Sequence, residues 1–260
     1  MPEYAPGTPS WVELYSSDAD ASAAFYRELI GWDAISPGSA EETGGYRMFQ
    51  HDGKNVAGLM GHMQDDGQPT AWSTYISVTD ADETANKVKA AGGSVIVEPM
   101  DVMDIGRMAV FIDPTGAVFG VWQPKSFQGA ELVNEPGSLC WNEVLTRDAD
   151  TDKAFYPQVF GWGMTKPQFE GAPDTYTVWE VDGRPVGGMM QMSDEYFPPE
   201  VPPHWAVCFA VEDCDGTVAK AKELGATITA EPMDMPIGRF AGIIDPLGAS
   251  FTVMQPAATG

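Results

Sequence analysis

An internal repeat constrains this chain more than any other feature of its sequence. Short motifs of the first half return in the second half, in the same order and about 130 residues later. The matched pairs are Trp11-Val12-Glu13-Leu14 with Trp141-Asn142-Glu143-Val144, Phe25-Tyr26 with Phe155-Tyr156, Gly31-Trp32 with Gly161-Trp162, and Asp113-Pro114 with Asp245-Pro246. A period this long indicates two homologous domains rather than a solenoid of short repeats. We predict one domain at 7–125, a linker at 126–136 and a second domain at 137–257.

Each half contains the same series of predicted elements twice. Alternation of side chains predicts a strand at Trp11–Tyr15, and Asp18 is typical of the cap of a helix over Ala19–Ile30 that ends at Gly31. Three short strands follow, and the order restarts with a strand at Trp72. The sequence therefore predicts an α+β fold in which each half has two strand-helix-three-strand (βαβββ) modules. We expect a mixed sheet curled around a cup, with helices outside.

Composition excludes several classes of partner. Acidic residues outnumber basic residues by 38 to 14, which gives a formal net charge of -24. A nucleic-acid phosphate backbone or an anionic membrane requires a basic surface that this chain cannot provide. The sequence also shows no signal-peptide pattern and no apolar run of membrane-spanning length, so we expect a cytoplasmic protein. In that reducing setting, we interpret the three cysteines as unreactive thiols.

The paired modules resemble the vicinal oxygen chelate superfamily, which includes glyoxalase I, bleomycin-resistance proteins, fosfomycin-resistance proteins and extradiol dioxygenases. The resemblance rests on the helix segment from Asp18 to Gly31-Trp32, on the turn Asp113-Pro114-Thr115-Gly116, and on their second-half copies. The chain is also similar to tandem glyoxalase-like bacterial proteins with a Trp-x-Glu start and a Trp-Gln-Pro end. Members of that group are variously labelled antigen, hydroxylase or lyase, so the resemblance implies no single activity.

The resemblance also implies a divalent metal ion held by His, Gln or Glu side chains from four strands. The corresponding positions are Trp11, Gly58, Ser73 and Gly120 in the first half and Trp141, Gly188, Ala206 and Thr252 in the second. These side chains are weak donors or have no donor at all. We therefore predict that the chain has no metal site of the family type and no cofactor.

Two glutamates are the most unusual residues on the predicted strands. If Trp11 and Trp141 point into the cups, strand alternation also points Glu13 and Glu143 inward. A carboxylate in such a pocket is a candidate general base, and Arg107 or Arg239 is a candidate anion clamp. The alternatives are structural: each Glu bonds to backbone or to an arginine between the halves, and each Arg pairs with a nearby Asp.

Aromatic and methionine side chains on the same strands form a candidate ligand-binding set. Its members are Trp11, Tyr15, Trp72, Trp122, Trp141, Trp205, Met60 and Met190. Such walls suit a flat apolar molecule, although the same residue types also build ordinary protein cores.

The sequence therefore favours a protein that binds an apolar or aromatic metabolite. The alternative is a metal-free lyase or isomerase in which Glu13 or Glu143 abstracts a proton, so the sequence leaves open whether the chain is an enzyme. Duplication lets two domains pair within one chain, so a monomer is sufficient, and weak homodimerisation stays open.

Overall fold

The computed structural model describes residues 4–62, 67–167 and 175–257. The first half contains β1 (Pro9–Ser16), α1 (Ala19–Ile30), β2 (Asp33–Ile35), α2 (Ala40–Thr43), β3 (Arg47–His51), β4 (Lys54–Gly61), β5 (Ala71–Ser77), α3 (Ala81–Ala90), β6 (Ser94–Val102), β7 (Gly106–Ile112) and β8 (Val118–Pro124). The second half contains β9 (Ser138–Thr146), α4 (Ala149–Phe160), β10 (Gly163–Thr165), β11 (Tyr176–Val181), β12 (Arg184–Gln191), β13 (His204–Ala210), α5 (Cys214–Glu223), β14 (Thr227–Met235), β15 (Gly238–Ile244) and β16 (Ser250–Pro256).

The first helix of each half begins and ends for the same local reasons. The Asp18 carboxylate accepts hydrogen bonds from the backbone N–H groups of Asp20 and Ala21, which otherwise lack partners in the first turn. The helix ends at Gly31, whose φ of 75° is left-handed and suits glycine. Asp148 and Gly161 do the same for α4.

Each half forms one mixed sheet of eight strands. The order is β2-β3-β4-β1-β5-β8-β7-β6 in the first sheet and β10-β11-β12-β9-β13-β16-β15-β14 in the second. The two modules of a half meet where β1 pairs antiparallel with β5, and where β9 pairs antiparallel with β13. This arrangement confirms the predicted α+β fold with two tandem domains.

The sheets pack against each other through the faces that lie opposite the two glutamates. Thr74 on β5 donates a hydrogen bond of 2.6 Å to the Asn142 side chain on β9 at this seam, and both residues are buried. Val12 and Leu14, which alternate with Glu13, lie in one buried cluster with Val207 and other second-half residues. The glutamate-bearing faces therefore point away from each other.

Reciprocal hydrogen bonds cross the seam. The Tyr26 hydroxyl on α1 donates to Asp245 Oδ2 of the second half over 3.1 Å, and the Tyr156 hydroxyl on α4 donates to Asp113 Oδ2 of the first half over 2.6 Å. The Asp of each Asp-Pro turn thus receives a buried bond from the first helix of the other half. No helix in the described residues is long and apolar enough to cross a membrane.

Candidate functional site

A glutamate lies on the outward face of each sheet. Glu13 on β1 is in register with Gly58 on β4 and Ser73 on β5, and Glu143 on β9 is in register with Gly188 and Ala206. We call these faces the first cup, around Glu13, and the second cup, around Glu143. Both side chains are half-buried, and desolvation raises the pKa of each carboxyl.

Two tyrosines hydrogen-bond to the glutamate of the first cup. The Tyr75 hydroxyl donates to Glu13 Oε1 over 3.4 Å, and the Tyr46 hydroxyl also bonds to this carboxylate and accepts from Trp11 Nε1 over 3.0 Å. Both phenol hydrogen bonds favour the ionised carboxylate and offset part of the effect of burial on the Glu13 pKa.

Two glycines make room for these tyrosines. A Cβ on Gly58 would meet the Tyr46 hydroxyl, and a Cβ on Gly120 would meet the Tyr75 ring. Because both glycines lie at positions where the family resemblance implies metal ligands, the tyrosines fill the volume that ligand side chains would need.

A chain segment covers the first cup. Residues 125–137, which join β8 to β9, bring Phe127 edge-on to the Trp11 ring at a centroid distance of 5.0 Å. The Phe127 carbonyl accepts from Trp122 Nε1 over 2.8 Å, and the Ala130 N–H donates to the Ser10 carbonyl over 2.8 Å. Trp11 and Trp122 are only 5% and 8% exposed as a result. We call residues 125–137 the covering segment.

The second cup keeps the glutamate and one tyrosine. Trp141 Nε1 donates to the Tyr176 hydroxyl over 2.8 Å, and that hydroxyl donates to Glu143 Oε2 over 2.7 Å. The second tyrosine of the first cup is replaced by Cys208, since Trp141 pairs with Cys208 as Trp11 pairs with Tyr75. The Glu143 carboxylate therefore has fewer donors around it than Glu13.

The second cup is also more open. Its Trp141 and Met254 side chains are half-buried, whereas their first-half counterparts Trp11 and Trp122 are buried. Among residues 4–62, 67–167 and 175–257, no aromatic ring packs on Trp141 as Phe127 packs on Trp11. The two cups thus share a plan but differ in access.

Most of the predicted aromatic and methionine set lies on the cup faces, but two tryptophans do not. Tyr15 is in register with Met60 and lies on the face of Glu13, and Met190 is in register with Tyr176 in the second cup. Trp72 and Trp205 instead face the seam, where their Nε1 atoms donate to Tyr26 and Tyr156. This placement differs from the ligand-binding role expected for them, because Trp72 pairs with Leu14 rather than with Glu13.

The structure does not bring the two arginines to the glutamates. Arg107 binds Asp82 on α3 with an Nε–Oδ2 distance of 2.8 Å, and Arg239 binds Asp215 on α5 over 2.6 Å. Both partners lie on helices, on the opposite side of the sheet from the cups. The geometry therefore matches the structural alternative, in which each arginine pairs with a nearby aspartate.

The residues in the cups do not fit the family metal ion. Among the described residues, no three His, Cys, Asp or Glu side chains converge to hold one. Glu13 and Glu143 each supply a carboxylate, but indole, glycine, alanine and hydroxyl side chains occupy the positions of the other ligands. Tyr46 and Tyr75 lie against the Glu13 carboxylate, and Tyr176 lies against the Glu143 carboxylate.

Two clefts lie on the seam rather than in the cups. One has a volume of about 430 Å³ and the other about 250 Å³, and the repeat relates them. The larger is bordered by Leu29, Ile30, Gly137 and Lys220, and the smaller by Val159, Phe160, Gly7 and Lys87. Neither contains a cup glutamate or tyrosine, so the clefts are separate from the candidate site.

Several residues that shape the cups were absent from the sequence-based set, among them Tyr46, Tyr75, Tyr176 and Phe127. Tyr46 and Tyr176 are repeat partners at an offset of 130, and that coincidence could have identified them. Phe127 has no such signal, because it lies where the repeat stops and its contact with Trp11 depends on the path of the covering segment.

The comparisons with known proteins agree with this fold. Residues 8–121 and 132–253 match the family described as Glyoxalase/Bleomycin resistance protein/Dioxygenase superfamily. The chain is 41% identical to the anthracycline biosynthesis protein DnrV of Streptomyces peucetius, over 100% of this chain and 99% of that protein. It is 43% identical to the putative glyoxylase CFP32 of Mycobacterium bovis, over 98% of this chain and 97% of that protein.

Solved structures show the same architecture at low sequence identity. A Mn(II)-bound glyoxalase from Novosphingobium aromaticivorans matches with a TM-score of 0.65 and 18% identity, over 95% of this chain and 82% of that chain. The 2,3-dioxygenase LapB from Pseudomonas sp. KL28 matches with a TM-score of 0.64 and 12% identity, over 98% and 94%. At such identities the likeness concerns the fold alone. The two matched regions span most of the chain, which therefore belongs to the glyoxalase/bleomycin resistance protein/dioxygenase superfamily.

Proposed function

We propose that this protein binds an apolar or aromatic small molecule in its second cup. The observation that carries the proposal is the inequality of the cups: Trp11 is buried beneath Phe127, while its repeat partner Trp141 is half-buried and has no aromatic ring of the described residues packed on it. Trp141 shares the cup face with Met190 and Met254, and these side chains offer an apolar wall on which a flat ring can pack.

The polar chain at the cup floor supports a ligand that carries a hydroxyl or carbonyl group. Tyr176 donates to one oxygen of Glu143 and itself accepts from Trp141, which fixes the orientation of the phenol. An ionised Glu143 can accept a hydrogen bond from a ligand hydroxyl, and a protonated Glu143 can donate one to a carbonyl. An anionic group would meet this carboxyl and a chain of net charge -24, so a neutral ligand is favoured.

The relatives support the aromatic class. One relative that aligns along its whole length is named an anthracycline biosynthesis protein, and anthracyclines are polycyclic aromatic compounds with hydroxyl and carbonyl groups. We therefore extend the proposal to neutral polycyclic aromatic molecules that carry such oxygens.

Calorimetric titration with a small set of hydroxylated polycyclic aromatics tests this proposal. We expect one binding site per chain. The Glu143→Gln variant should bind the ligand about tenfold more weakly, because it loses a charge-assisted hydrogen bond. The matched variant Glu13→Gln should bind with nearly the wild-type affinity. Failure of every compound to bind, or equal losses in the two variants, would count against the second cup as the site.

A second candidate function is metal-free proton transfer, with Glu143 as general base. The raised pKa of this half-buried carboxyl and its fixed bond to Tyr176 favour it. For a ligand with an acidic C–H next to a carbonyl, solvent deuterium exchange followed by NMR separates the two functions. Catalysis requires exchange that Glu143→Gln abolishes while binding persists, and pure binding gives no exchange above the protein-free rate.

A further inference from the structure

Two of the three cysteines meet on the floor of the second cup. Cys140 Sγ lies 3.6 Å from Cys208 Sγ and 3.4 Å from the Cys208 carbonyl oxygen. Cys208 is the register partner of Trp141, and Cys140 occupies the adjacent bulge of β9, where the pairing with β13 shifts. The two thiols therefore touch because neighbouring strands hold them there.

This arrangement suits a covalent bond between the sulfurs. At a β-bulge two residues of one strand oppose one residue of the neighbouring strand, so Cys140 and Trp141 both lie across from Cys208. The two sulfurs are 3.6 Å apart, so an S–S bond of ~2 Å requires them to move closer by roughly 1.6 Å.

The two thiols differ in access. Cys140 is partly exposed, while Cys208 is only 6% exposed. The hydrogen bond between the two thiols and burial both raise the pKa of the Cys208 thiol, which favours its protonated form in the reduced protein. An oxidant that enters the second cup therefore meets Cys140 first, with Cys208 in contact behind it.

The first half lacks this pair. Ser10 stands at the position of Cys140 and is fully buried, with Gly129 and Ala130 of the covering segment against its backbone. Tyr75 stands at the position of Cys208. The third cysteine, Cys214, is buried in the seam on α5 and belongs to a different cluster. The dithiol is thus confined to the open cup.

We propose that Cys140 and Cys208 form a redox-active dithiol that hydroperoxides convert to a disulfide between β9 and β13. The Cys140 sulfur attacks the peroxide, which leaves a sulfenic acid and releases an alcohol, or water from hydrogen peroxide. The Cys208 sulfur then attacks the sulfenic sulfur, forms the S–S bond and releases water. The protein loses two protons and two electrons, which reduce the peroxide to the alcohol and water. This inference goes beyond ligand binding and does not depend on it.

The test is oxidation of the reduced full-length protein with a modest molar excess of hydrogen peroxide, followed by thiol counting and mass spectrometry of peptides. We expect two of the three thiols to disappear, a mass loss of two hydrogen atoms, and a peptide that joins Cys140 to Cys208. A dithiol reductant should restore all three thiols. The Cys214→Ala variant should form the same link.

Two further variants keep the outcome decisive. Cys208→Ala should leave a sulfenic acid on Cys140 that a dimedone probe traps, and Cys140→Ser, which installs the first-half residue, should leave Cys208 reduced. Three intact thiols after treatment, a bond between two chains, or oxidation of Cys140 to a sulfinic acid with Cys208 still free would each overturn the proposal.

Discussion

At the residue scale, small exchanges between repeat partners decide what each cup can do. Tyr75 becomes Cys208 and Trp122 becomes Met254, so the second cup loses two large rings that fill the first, while Gly120 becomes Thr252 and adds only a small side chain. Because the glutamate is retained in both, the difference lies in the side chains around it. At the seam, Ser22 of the first half becomes Asp152 of the second, which introduces a buried carboxyl group.

Asp152 on α4 leads to a prediction about the pH dependence of stability. It is fully buried, Thr115 is 3.5 Å from its Oδ2 atom, and burial together with the nearby Asp113 carboxylate raises its pKa to about 7. In the unfolded chain its pKa is ~4. Between these values the folded protein holds a proton that the unfolded chain has released, so the free energy of unfolding falls as pH rises.

The matched variant is Asp152→Ser, since Ser22 occupies this position in the first half. Between pH ~4 and pH ~7, Asp152 should lower the free energy of unfolding of the wild type by up to about 4 kcal/mol. The variant lacks this carboxyl and should not show that decrease. Urea unfolding at several pH values measures this difference. Other buried carboxyls remain in both proteins, so parallel curves for the two proteins would contradict the assignment to Asp152.

Local sequence patterns explain which residues could be placed in advance. Side chains alternate between the two faces of β1 and β9, so the face of Glu13 or Glu143 follows from the residues next to it in sequence. This pattern predicts the glutamate faces that the structure shows. The seam position of Trp72 could not be read from its own strand, because it depends on the register between β5 and β1. Long-range register of this kind is set by packing rather than by a local period.

At the scale of elements, the covering segment makes the cups unequal. It includes the predicted linker at 126–136, and its Phe127 ring packs on both Trp11 and Trp122. Helix boundaries were predictable because caps are local: Asp18 and Gly31 mark α1. The covering segment carries no such local signals, because its structure depends on contacts with Trp11, which is distant in sequence, and with Trp122 on β8.

Phe127→Ala should uncover the first cup. We expect the free energy of unfolding to fall by about 1–3 kcal/mol, because the substitution removes a half-buried ring that packs on the Trp11 and Trp122 indoles. We also expect acrylamide to quench the tryptophan fluorescence more easily. The matched control is Tyr196→Ala, which removes an aromatic ring that is 75% exposed and should change neither quantity. Unchanged quenching in Phe127→Ala would contradict the covering role.

At the scale of the whole molecule, the two halves share their cores. One buried cluster joins Phe25 and Tyr26 of the first half to Phe209 and Phe251 of the second, and a related cluster joins the other pair of modules. The repeat predicted two domains from sequence, but not that each would supply half of the other's core. That interlock depends on faces that meet only after both sheets form.

We therefore expect the chain to unfold as one cooperative unit. Scanning calorimetry should give a single transition whose calorimetric and van't Hoff enthalpies agree. Tyr26→Phe and Tyr156→Phe should each lower the free energy of unfolding by about 1–3 kcal/mol, because each leaves a buried carboxylate short of a donor, while the transition stays single. Two separate transitions in the wild type would show that the halves fold independently.

A crystal structure of the complex with a hydroxylated polycyclic aromatic shows directly whether the two cups differ in access. We expect one ligand per chain, packed on Trp141 with an oxygen at Glu143, and a first cup still closed by Phe127. A ligand in the seam cleft beside Leu29 and Gly137, or one beneath a displaced covering segment in the first cup, would contradict this expectation.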